Sequence, residues 1–165
     1  MTKTLVAYFS ASGVTKKVAE NLSKITKSDL YEIKPVEPYS NADLNWMDRN
    51  SRSSVEMRDK TSRPEIIDED AKIEKYDTIF LGFPIWWYIA PTVVNTFLEK
   101  YDFSNKKIIL FATSGGSGFG GTVDNIKASV SDSAEVIEGD LLNHNPSIEQ
   151  LEQWVGKFIK ITLKT

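Results

Sequence analysis

The sequence predicts an α/β fold: a single open, doubly wound parallel sheet with helices on both faces. Three observations carry this expectation. Short, continuous apolar runs, the mark of strands covered on both sides, recur along the chain. Between them lie stretches whose apolar residues step by three and four, the mark of helices with one buried face. Strands alternating with helices in this way make right-handed βαβ units, and 165 residues give room for five strands in one domain spanning 1–165, not for a closed eight-stranded barrel.

Each element is justified in turn. Thr4 to Phe9 is an unbroken apolar run and reads as the first strand. Val14, Val18, Leu22 and Ile25 follow at helical spacing. Leu30 to Lys34 reads as the second strand, closed by Pro35 and Pro38. Tyr39 to Lys75 is too long for a plain connection and is expected to hold a helix around Asp43 to Asp59. The polar run Asp48, Arg49, Asn50, Ser51, Arg52, Ser53, Ser54 predicts that this helix is largely exposed. Tyr76 to Phe83 is the third strand, followed by a helix over Pro91 to Leu98 carrying Val94, Phe97 and Leu98. Ile108 to Ala112 is the fourth strand, and Thr122 to Ser131 a helix built on Val123, Ile126 and Val130. Val136 to Leu141 is a weaker fifth strand. The last helix is expected to take Asn145 as its N-cap and Pro146 as its first residue, with Ile148, Leu151, Val155, Phe158 and Ile159 along one side.

Composition removes several function classes. The 20 basic and 23 acidic residues leave a formal charge of −3 and a pI near 5.3. A nucleic-acid binder carries a strongly basic surface and an electrostatic membrane binder clustered Lys and Arg, so neither partner is expected. With no cysteine and one histidine, thiolate metal sites, Cys nucleophiles, iron–sulfur clusters and multi-His zinc sites are excluded within one chain. No signal-peptide pattern and no apolar run near 18 residues is present, so a cytoplasmic protein is expected. What remains is a binding protein, or an enzyme whose chemistry comes from a cofactor or from oxygen, amine and aromatic side chains.

In a doubly wound sheet, ligands bind beyond the carboxyl ends of the strands, where the strand order reverses. The loops at that edge are therefore the candidates. After the first strand come Ser10, Ala11, Ser12, Gly13, Val14, Thr15 and Lys16, opening directly into a helix. A helix N-terminus offers unpaired N–H groups and a partial positive charge, and the hydroxyls add donors, so this loop suits a phosphate. The plainer alternative is a Ser/Thr N-cap on a turn. After the third strand come Pro84, Ile85, Trp86, Trp87, Tyr88, Ile89, Ala90 and Pro91. Neighbouring side chains diverge, so these aromatics cannot all be core; at a sheet edge they suit stacking on a flat ring. After the fourth strand, Thr113 to Thr122 holds five of the nine glycines, letting backbone approach a ligand closely. Ser117, Asp140 and His144 stand in the chain order of a hydrolase triad, but Phe119 occupies the place of the second glycine of a nucleophile elbow, so this reading is set aside.

Taken together, the three loops resemble those of flavodoxins, and more closely a short, flavodoxin-like family with a Pro-Ile-Trp-Trp loop and a Thr-Ser-Gly-Gly-Ser-Gly loop. The resemblance extends over nearly the whole chain, including Tyr39, Asp43, Leu44, Trp46 and the Arg63-Pro64-Glu65-Ile66 stretch. It implies a three-layer sandwich with strand order 2-1-3-4-5 and FMN bound at the tips of strands one, three and four. By the same resemblance Ser10, Ser12, Gly13, Val14 and Thr15 would hold the phosphate, and Pro84, Ile85, Trp86 and Trp87 would flank the ring. Thr113, Ser114, Gly115, Gly116, Ser117 and Gly118 would meet its polar edge through their backbone. A phosphate nest, an aromatic wall and a close backbone loop are what a flat, monophosphorylated ring requires, so the two lines of argument agree.

The departures also carry expectations. No glycine lies between Pro84 and Pro91, where flavodoxins use one to reach a left-handed backbone on reduction. A side chain at positive φ costs roughly 1 kcal/mol, which predicts weaker stabilisation of the one-electron-reduced state. The tyrosine that often covers the outer ring face is absent, with Phe119 or Tyr88 as stand-ins. Asp68, Glu69 and Asp70 lie near possible rims but read more simply as a solvated face. Three functions stay open. One is an electron shuttle between redox partner proteins. The second is an NAD(P)H-dependent reductase of quinones or similar acceptors, monomeric or homodimeric, and the third a flavin-free phosphate-binding module. Under either flavin reading no side chain need act as acid or base.

Overall fold

The structure is a computed structural model and describes residues 3–113, 118–143 and 146–159. Its main sheet has five parallel strands: β1 (Thr4–Tyr8), β2 (Asp29–Glu32), β5 (Thr78–Pro84), β6 (Lys107–Thr113) and β7 (Glu135–Leu141). Their order is β2-β1-β5-β6-β7, which is the expected 2-1-3-4-5. Residues 34–35 and 66–67 form two short strands, β3 and β4, paired antiparallel beside the main sheet.

Alternate residues of the central strands feed two cores. Leu5, Ala7, Ile79, Leu81, Ile108 and Leu110 face one side, where α3 (Thr92–Lys100) and α4 (Thr122–Lys127) bring Val93, Val94, Phe97 and Ile126. Val6, Tyr8, Phe80, Ile109 and Phe111 face the other, against Val18 and Leu22 of α1 (Val14–Thr26) and Leu151, Trp154 and Val155 of α5 (Ile148–Val155). This makes the three layers. Close packing uses two glycines: a Cβ on Gly82 would lie 2.2 Å from the Phe111 ring, and one on Gly139 would lie 1.9 Å from the Leu110 carbonyl oxygen. Gly139 sits where the β6–β7 register skips a residue, so the bulge there admits only the smallest side chain.

Several boundaries differ from expectation, each for a local reason. The second strand ends at Glu32; Ile33 donates to the Tyr8 carbonyl, and Lys34 already belongs to the small antiparallel pair. The helix expected over Asp43 to Asp59 is only α2 (Arg52–Arg58). Before it, Ser40, Asp43, Asn45 and Asp48 take backbone N–H groups on their own side chains, which competes with helix formation. Nor is α2 largely exposed: Ser51, Ser53, Ser54 and Met57 are buried. The helix at Thr122 stops at Lys127 rather than Ser131. The last helix starts two residues late, with Ser147 as N-cap in a reciprocal capping box with Gln150. Asn145, the expected cap, lies outside the described residues, and Ile148 is solvent-facing rather than on the core side.

Candidate functional site

The chain leaves β1 for β2 on one side and returns to β5 on the other, so the switch point lies between the tips of β1 and β5. Three loops converge there. In the first, Gly13 is the N-cap of α1 with φ 95°, and no side chain caps the helix. The Ser/Thr N-cap alternative is thus excluded. Ser10 Oγ instead accepts the Gly13 N–H at 3.0 Å, bending the loop so that Ser12, Gly13 and Val14 are all solvent-exposed. A left-handed residue just before uncapped helical N–H groups makes an anion-receptive concavity.

Thr15 behaves differently from its neighbours. It is buried, and its hydroxyl lies 2.9 Å from that of Thr113, the last residue of β6. This bond ties the first loop to the third.

The second loop begins at Pro84, the last residue of β5, and Ile85, whose N–H donates to the Thr113 carbonyl at 2.8 Å. Trp86 and Ile89 then bond each other in both directions, closing a tight turn with Trp87 and Tyr88 at its tip. Both central residues are left-handed, φ 49° at Trp87 and 70° at Tyr88. This is the φ signature of a type I′ turn, a conformation that favours Asn-Gly. No glycine lies in this turn, yet positive φ is reached at both positions, and the strain is carried by two aromatic residues. Trp87 and Tyr88 stand out at 40% and 64% exposure, while Trp86 turns inward.

Trp86 meets Phe9 at 5.8 Å and Tyr39 at 5.3 Å between ring centroids, and Phe9 meets Tyr39 at 5.6 Å, all edge-to-face. This trio brings the 39–58 segment to the ligand edge of the sheet. Arg52 lies over the Tyr39 ring at 3.9 Å, and its guanidinium pairs with Glu56 at 2.9 Å. Tyr39 donates its hydroxyl to Glu56 at 2.5 Å. Burial first, and the Glu56 carboxylate second, push the Tyr39 hydroxyl well above the ordinary tyrosine range. Sequence reasoning left the position of this segment open. Tyr39 was the usable signal, an aromatic just after the prolines that end the second strand.

Of the third loop, Thr113 and Gly118 are described; Ser114, Gly115, Gly116 and Ser117 lie outside the described residues, as does His144 of the discarded triad. Gly118 is exposed with open space around its Cα. Phe119 is buried in the core, so it does not cover a ring. Asp68 accepts a hydrogen bond from Tyr101, just past the end of α3, and Glu69 pairs with Lys34 at 3.1 Å. Because α3 runs back from the ligand edge, this acidic group is not on the rim of the site. Among the described residues no cluster of His, Asp and Glu could hold a metal ion, and no helix is long and apolar enough to cross a membrane.

Fold and site thus define a doubly wound α/β protein whose ligand edge combines an anion-receptive turn with an aromatic one. The chain belongs to the flavodoxin family, whose profile matches residues 3–158. Its structure is similar to a protein of Bacteroides eggerthii described as a candidate flavoprotein, with 42% identity, a TM-score of 0.89, and coverage of 97% of this chain and 100% of that one. It is also similar to a flavoprotein of Lactobacillus acidophilus solved in complex with FMN, with 26% identity, a TM-score of 0.68, and coverage of 94% and 99%. In sequence it resembles rat NAD(P)H dehydrogenase [quinone] 1, 27% identical over 118 residues, which are 58% of this chain and 43% of the rat protein. The chain spans less than half the length of the curated relatives it matches.

Proposed function

We propose that this protein binds FMN at the tips of β1, β5 and β6 and transfers electrons between redox partners. The observation that carries the reading is the pairing of two complementary features at one edge. An uncapped helix N-terminus behind left-handed Gly13 suits a monophosphate, and the exposed Trp87-Tyr88 turn suits a flat ring. The FMN held by the similar Lactobacillus acidophilus flavoprotein supports the same ligand here.

In this reading Ser10, Ser12, Gly13, Val14 and Thr15 hold the phosphate. Pro84, Ile85, Trp86 and Trp87 flank the ring, and Thr113 and Gly118 lie along its polar edge. FMN supplies the redox chemistry when bound. The chain's own part is to bind, to orient and to limit solvent. Trp86, fixed by Phe9 and Tyr39, stiffens the inner wall, and exposed Trp87 and Tyr88 sit where a partner would approach.

The similarity to NAD(P)H dehydrogenase [quinone] 1 favours a second reading, reduction of quinones or similar acceptors at the expense of NAD(P)H. One anaerobic experiment separates the two. The purified chain is loaded with FMN, freed of excess and mixed with NADPH, then NADH, while the visible flavin band is followed. A retained but unbleached band is the expected result and supports transfer between protein partners. Rapid bleaching moves the reductase reading ahead. Loss of all flavin during removal of the excess overturns both and returns the flavin-free binding module.

A further inference from the structure

The Trp86–Ile89 turn holds the least favourable backbone at the site, and its two closing hydrogen bonds are compatible with a turn of either hand, so they do not select the left-handed one. Bulky residues at positive φ are rare, and each costs roughly a few-fold to tenfold in population relative to an ordinary conformation. Two in succession at a solvent-exposed tip should relax unless a neighbour holds them. Besides the rings of Phe9 and Tyr39 packed on Trp86, two residues contact Tyr88 itself. Thr122, fully buried at the start of α4, places its hydroxyl 3.3 Å from the Tyr88 carbonyl while also donating toward the Phe119 carbonyl. Gly120, itself left-handed at φ 52°, packs so tightly that a Cβ there would lie 2.6 Å from the Tyr88 carbonyl oxygen and 2.7 Å from its Cβ.

From these contacts we infer that Thr122 and Gly120, on the loop between β6 and α4, are positioning residues that clamp the Trp87-Tyr88 turn in its left-handed form and thereby keep the ring-binding wall preformed. The hydroxyl of Thr122 orients the Tyr88 carbonyl, and the bare Cα of Gly120 lets the loop close down on it. Neither residue reaches the ring in this account; both act through Tyr88. A turn that is competent only part of the time weakens the apparent affinity by that fraction, so losing the clamp raises the dissociation constant. The affinity consequence rests on the FMN reading; the clamp itself does not.

The test uses the full chain and two readouts. The first is amide hydrogen exchange at Trp86 and Ile89, whose N–H groups close the turn, measured without flavin. The second is FMN affinity by fluorescence titration. Thr122→Val removes the hydroxyl at nearly constant volume. It is expected to speed exchange at both amides and weaken FMN binding, each by roughly fivefold or more. Thr122→Ser keeps the hydroxyl and is expected to behave like the unaltered chain. The deciding variant is Thr122→Val combined with Tyr88→Gly. Glycine adopts positive φ without strain, so the cost at position 88 is removed and exchange slows toward that of the unaltered chain. Unchanged exchange in Thr122→Val, or fast exchange that Tyr88→Gly does not slow, overturns the inference. If the unaltered chain binds no FMN, the functional reading fails, and exchange alone still decides the clamp.

Discussion

Gly13 and Thr15, two residues apart, show how sharply neighbouring side chains at one loop divide their work. Gly13 supplies the positive φ that starts α1 without a side-chain cap, so the helix N–H groups stay open to a ligand. Thr15 hydrogen-bonds Thr113 and stitches β1's loop to β6. Ser12, exposed beside Gly13, presents a hydroxyl of the expected phosphate set to solvent. Ser12→Ala should therefore raise the FMN dissociation constant roughly tenfold, the worth of one hydrogen bond to a charged group. Trp87→Ala should raise it severalfold, the worth of one aromatic contact. Titrating both variants checks the placement, and wild-type affinity in both would put the flavin elsewhere.

At the scale of elements, the 39–58 segment is the part of the chain that local propensity describes worst. Its tip stays exposed at Trp46 and Met47, yet its two ends are tied down. Tyr39 locks onto Phe9 and Trp86, and Arg52 joins Tyr39, Glu56 and the Glu37 carbonyl. The segment is thus a latched flap built on one aromatic. Tyr39→Ala should release it at a cost of about 1–3 kcal/mol, because half-buried ring contacts are lost and a cavity opens beside Trp86. Limited trypsin digestion should then cut at Arg49 and Arg58 several times faster, while amides of β1, β5 and β6 stay protected. Unchanged cleavage at those arginines would mean that other contacts hold the flap.

At the scale of the whole molecule, several surface carboxylates are held in their charged form by hydrogen bonds. Glu99 is held below its usual range by the hydrogen bond from Arg63, and Asp43, Asp59, Asp68 and Asp102 are lowered by hydrogen bonds from Ser40, Thr61, Tyr101 and Ser104. A lowered folded-state value means that the stabilisation is whole above the unfolded value, near 4, and is lost as pH falls through the folded value. Glu99→Gln should therefore cost under about 1 kcal/mol at pH 7, as befits a partly exposed pair, and the gap to the unaltered chain should narrow toward pH 3. Thermal melts at the two pH values check the sign; a gap that widens on acidification would contradict it.

The sequence by itself determined the layers and the ligand edge, and its resemblance to flavodoxins supplied the strand order. Apolar runs such as Thr4–Tyr8 and Thr78–Pro84 can be buried on both faces only in a sheet covered by helices, and that constraint is local enough to read from spacing. The Ser10–Thr15 and Pro84–Trp87 loops were legible for the same reason: they follow those strands directly. Only the tertiary structure decided the rest, because each remaining feature depends on groups far apart in the chain. Thr15 meets Thr113 across 98 positions, so its hydroxyl could not be assigned to a ligand or withheld from one by inspection of its own loop. The left-handed Trp87-Tyr88 turn contradicts its local preference and stands against Thr122, 34 residues beyond Tyr88. Tyr39 is drawn to the ligand edge by Phe9 and Trp86, contacts that exist only once the sheet has formed.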